Sequence, residues 1–66
     1  MDENERYYVR AAVGRGMMQL ERDIEEGKRY LATDPPATFR QSIEGMVAYN
    51  EQMLREMKQY IPEELQ

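Results

Sequence analysis

The residues best equipped for chemistry sit together near the start of the chain: Arg6, Tyr7, Tyr8, Arg10 and Arg15, within the stretch RYYVRAAVGRGMMQL. Guanidinium groups are planar, permanently charged donors, and tyrosine rings add amphipathic surface. The combination suits protein contacts, and it also suits phosphate binding and base stacking. This stretch, residues 6–20, holds no acid in a chain of net charge −4. It is a candidate surface for a protein partner, or for an anionic nucleotide held between Tyr7/Tyr8 and Arg6/Arg10. A plainer reading is a solvated face, since Arg6 and Arg10 stand four apart with Glu3 and Glu5 near for local ion pairs.

Other chemistry finds little material. Covalent catalysis wants a nucleophile beside a base, but the chain has no histidine and no cysteine, and Ser42 stands in no motif. A metal would have carboxylates alone for strong ligands, and the Glu-x-x-His element of a di-metal bundle cannot be built. Glu21, Asp23, Glu25 and Glu26 read as a solvated charged face, partly paired with Arg22, Lys28 and Arg29 at helical spacings. The GRG of residues 14–16 lacks the lysine and hydroxyl residue of a P-loop and the strand of a dinucleotide turn. Neither an enzyme, a metal nor a cofactor is expected.

These side chains need elements to hold them, and 66 residues allow one small domain, 1–66. A domain of this size buries only about 60% of its unfolded surface and commonly needs disulfides, a metal or association. Without cysteine, and without soft metal ligands, association is the staple left. The acidic balance, 13 acids to 9 bases, makes nucleic acid an unlikely partner, because such binders carry a basic footprint. No apolar run nears the ~20 residues that span a bilayer, and the acidic opening MDENER differs from a secretory signal. The expectation is a cytoplasmic chain that starts at its native methionine, with no membrane contact.

The chain is punctuated by ATDPPAT, residues 32–38, where two prolines stop helix propagation and favour extended backbone before each. Around it the apolar spacing is helical. Val13, Met17, Leu20, Ile24, Gly27 and Leu31 recur at fours and threes, as do Phe39, Ile43, Met46, Asn50, Met53, Met57 and Tyr60. This is the seam of packed helices. Val47, Leu54 and Ile61 add a flanking row at sevens. The expected fold is all-α: helix 1 over about 4–32, a turn at about 33–37 and helix 2 over about 38–61. Asp2 or Asn4 caps the first helix. Pro36 opens the second, or Thr38 does as the cap of a box with Gln41. Pro62 closes it.

Such an antiparallel hairpin has two layers and no third side, so a dimer forming a four-helix bundle is the expected assembly. Its expected oligomer interface comprises Gly16, Met17, Leu20, Ile24, Ile43, Val47, Asn50 and Leu54. Asn50 interrupts an apolar seam, as residues that fix register do. The seam methionines read as core filler, and Met18 lies beside them. Gly14 and Gly16 each cost a helix about 1 kcal/mol; close packing with Ala12, a kink separating residues 5–13 from 17–32, and a ligand groove all remain open. Gly27 leaves room for a large residue opposite, Met46 or Asn50.

The function expected is that of a small non-enzymatic interaction protein, a homo-oligomeric hairpin that binds and regulates or inhibits another protein. The alternatives are an oligomeric nucleotide-binding protein using the arginines and tyrosines of helix 1, a structural assembly subunit, and an RNA-binding hairpin dimer.

Overall fold

The chain reverses direction at Asp34, whose φ of 57° lies in the left-handed region. The prolines favour extended backbone there, and the local hydrogen bonding overrides them. Ala32 N–H donates to the Lys28 carbonyl at 3.1 Å, Thr33 N–H to Tyr30 at 3.0 Å and Asp34 N–H to Leu31 at 3.2 Å. These bonds tighten the helix end. A left-handed residue then turns the chain away, a conformation that aspartate adopts more readily than most residues. Pro35 follows, buried, with no N–H left to satisfy.

The computed structural model describes residues 2–60, the side chain of Tyr60 excepted. Met1, the Tyr60 side chain, Ile61 and the Pro62 stop lie outside the described residues. Two helices, α1 (Glu3–Leu31) and α2 (Ala37–Tyr60), form an all-α hairpin, with no strand among the described residues. Asp2 caps α1, its Oδ1 accepting from Glu5 N–H at 2.8 Å. Glu3 and Glu5 stand in the first turn and Lys28 and Arg29 in the last, so both ends complement the helix dipole. For α2, Arg40 N–H donates to the Pro36 carbonyl at 2.9 Å. Pro36 therefore sits just before the first helical residue. Thr38 lies inside the helix, so the expected box with Gln41 does not form the start.

α1 runs unbroken through Gly14 and Gly16, which corrects the reading of two separate helical pieces. Glycine weakens a helix without removing a hydrogen bond, and about 1 kcal/mol per residue is small against the packing of a long apolar stripe.

Burial follows the expected row on α1, where Val13, Met17, Leu20 and Leu31 are half-buried and Ile24 and Gly27 buried. On α2 the row is rotated. The inward residues are Ile43, Val47, Asn50, Met53, Leu54 and Met57, whereas Phe39 and Met46 are exposed. Gly27 explains the rotation. A Cβ built on it would stand 2.5 Å from Val47 Cγ2, 3.2 Å from Met46 Cε and 3.6 Å from Ile43 Cγ2. The helices thus approach most closely where α1 has no side chain, and compact Val47 fills that gap. Met46 reaches the same place only with its tip, and Asn50 is not among the atoms nearest to it.

Arg40 fastens the turn. Its Nη2 donates to the Asp34 carboxylate and to the Pro35 carbonyl, the latter at 3.2 Å. Lys28 pairs across the helices with Glu51 at 4.0 Å. Its expected pairing within the acidic segment gives way to this one, because α2 brings a carboxylate alongside.

Candidate functional site

The helices are joined at one end, and α1 is longer than the described part of α2. Gly16 lies beside Met57 and Gly27 beside Val47. Continuing that antiparallel register sets Tyr60, the last residue of α2, level with Val13. Residues 3–12 of α1 therefore run on past the described end of α2 by about 15 Å at 1.5 Å per residue.

Four of the five candidate contact residues stand on this overhang. Tyr7 and Tyr8 are 68% and 69% exposed. Their rings meet edge to face, centroids 5.6 Å apart at 77°, an arrangement favoured by the ring quadrupoles. Glu3, Asn4, Arg6, Tyr7 and Arg10 line an open groove of about 440 Å³. Arg6, Tyr7 and Arg10 are thus brought together, and Tyr8 joins them through its neighbour's ring. Arg15 is not part of this group. It lines a separate shallow depression of about 220 Å³ with Met18, Gln19 and Arg22.

Chemically, the overhang presents forked cationic donors and amphipathic rings to solvent, the side-chain types that anchor interfaces and grip carboxylates or phosphates. Among the described residues no group of three or more acidic, histidine or cysteine side chains could hold a metal ion. No helix is long and apolar enough to cross a membrane among those residues. The acidic segment is engaged locally: Asp23 accepts from Gln19 at 2.9 Å, and Glu25 stands 3.8 Å from Arg29.

The residues expected at an oligomer interface lie on the seam within the hairpin. Ile24 and Val47 are buried there, and Gly16, Met17, Leu20, Ile43, Asn50 and Leu54 are half-buried. The large apolar side chains that face outwards are others: Met18, Tyr30, Phe39, Met46 and Tyr49, besides the two overhang tyrosines. Of these, Phe39 and Met46 belong to the row expected to face inwards, whereas Tyr30 and Tyr49 fall outside both rows read from the sequence. No family model, curated protein or solved structure matches the chain.

Proposed function

We propose that this chain is a small interaction protein without chemistry of its own, a hairpin that pairs with a second copy into a four-helix bundle and binds another protein to regulate or inhibit it. The observation that carries the reading is the overhang: Tyr7 and Tyr8 more than two-thirds exposed, beside Arg6 and Arg10 in one open groove. Aromatic and arginine side chains supply most interface hot spots, and here they project from the bundle instead of closing it. A cytoplasmic setting belongs to the same reading, since a cysteine-free chain draws nothing from an oxidising compartment.

The test is a Tyr8→Ala, Arg10→Ala double variant. Both residues are exposed, so helicity by circular dichroism and the oligomeric state are expected to stay unchanged. Affinity for a purified partner should fall by roughly thirtyfold or more, the ~2 kcal/mol of a hot spot. Equal affinity overturns the assignment of this surface. The groove's volume also falls in the range of small-ligand sites, ~300–1,000 Å³. Calorimetry of the wild type against mono-, di- and cyclic nucleotides separates the two occupants: micromolar binding favours the ligand, and silence favours the protein contact.

A further inference from the structure

The two helices cover one side of each other and leave a second apolar flank open. Phe39, Met46 and the half-buried Met53 follow one another at sevens along α2, with Tyr49 beside them and Tyr30 across on α1. Tyr30 is 40%, Phe39 59%, Met46 38% and Tyr49 64% exposed. Asp23, Glu26, Gly27, Tyr30, Ile43 and Met46 line a shallow cleft of about 230 Å³ on this flank.

We infer that this flank is where a second copy of the chain docks, α1 on α1 and α2 on α2, each pair antiparallel about a two-fold axis beside Met46. The inference rests on the self-association in the function proposed above and names the surface that performs it. A two-fold interface must be complementary to itself, and the spacing on this flank is. Phe39 and Met53 lie seven residues on either side of Met46. An axis at Met46 therefore lays Phe39 of one copy on Met53 of the other, and Met46 on its own counterpart.

The polar groups fit the same axis. Gly27 stands level with Val47, and Asp23 and Tyr30 lie four and three residues to either side of it. The axis turns the Tyr30 hydroxyl of one copy towards Asp23 of the other, giving that carboxylate a donor besides Gln19. The area comes close to what a dimer needs. At ~150–250 Å² for each large side chain, the exposed fractions sum to on the order of 450 Å² per copy, so on the order of 900 Å² for the pair before polar neighbours are counted. Specific interfaces begin at about 1,000–1,200 Å². Residues 3–12 of the two copies lie at opposite ends of the pair, outside this interface.

Phe39→Glu with Tyr49→Glu tests the surface, because both side chains are exposed in the hairpin and should leave it folded. Sedimentation should show a wild-type dimer at micromolar concentration and a dissociation constant raised at least about a hundredfold in the variant, since each glutamate would be buried unpaired. Met18→Glu with Ala48→Glu, which adds the same charge at exposed positions off the flank, should dimerise as the wild type does. Should the first variant fail to fold, Met46→Cys decides: in a cysteine-free chain it should form an interchain disulfide under mild oxidation, whereas Ala48→Cys should not. A wild-type dimer indifferent to the glutamates, or no Met46→Cys cross-link, overturns the choice of flank and leaves self-association standing. A wild type monomeric at hundreds of micromolar overturns both, and leaves the flank to a partner of different sequence.

Discussion

The two ends of the hairpin are built on opposite principles. At the turn end, Pro35 is buried, Arg40 grips Asp34 and the Pro35 carbonyl, and α2 closes onto Gly27. At the other end Tyr7 and Tyr8 stand more than two-thirds exposed on α1. Glycine shows the contrast within one residue type. A Cβ at Gly27 meets three side chains, one at Gly16 meets only Met57 Cε at 3.6 Å, and one at Gly14 or Gly45 meets nothing within 4 Å. Glycine is demanded by packing at Gly27, on the seam, and merely tolerated at Gly14 and Gly45, which meet nothing.

Gly27→Ala should break the contrast most severely. Val47 is β-branched and stiff in a helix, so it cannot yield to a methyl group 2.5 Å away without moving the helices apart. Overpacking costs about 1–3 kcal/mol, more than the ~1 kcal/mol that alanine returns in helix propensity. Thermal unfolding should show a lower Tm, and Gly27→Leu a greater loss still. A Gly27→Ala variant as stable as the wild type would mean the closest approach lies elsewhere.

Arg40→Ala should cost less, on the order of 1 kcal/mol. It removes a donor to the Pro35 carbonyl, while the partnership with Asp34 contributes little because that carboxylate is exposed. Denaturant unfolding should report a lower midpoint at unchanged slope. If stability holds, the prolines alone keep the turn.

Gly14→Ala should change stability with the opposite sign, raising it by up to about 1 kcal/mol through propensity alone. Gly45→Ala should do the same on α2. A loss at Gly14 would place a contact on the face now open. The smallest effect is expected at Asn50, half-buried on the seam. Asn50→Leu should raise Tm slightly, as an apolar residue replaces a polar one on the seam. A decrease would identify a hydrogen bond made across an assembly.

Much of this architecture is legible in the chain of residues because it is local. A heptad spacing of apolar residues, an aspartate before a run of helix formers and a pair of prolines act through their near neighbours. Two helices and the proline turn between them could therefore be read from it. The candidate contact residues were legible for the same reason, being a run of one chemical character. What their side chains share in space was not, and Arg15 separated from the rest.

Tertiary structure decided which face of α2 turns inwards. The apolar arc of α2 is wider than one seam, so periodicity admits more than one rotation. Only the fit of Val47 over Gly27 selects between them. That choice exposes Phe39, Met46 and Tyr49, brings Glu51 to Lys28 and shifts the importance from the conspicuous Gly14 and Gly16 to Gly27. It also sets the register that carries residues 3–12 past the described end of α2. Each of these depends on shape complementarity between residues distant in the chain, a quantity that no local pattern encodes.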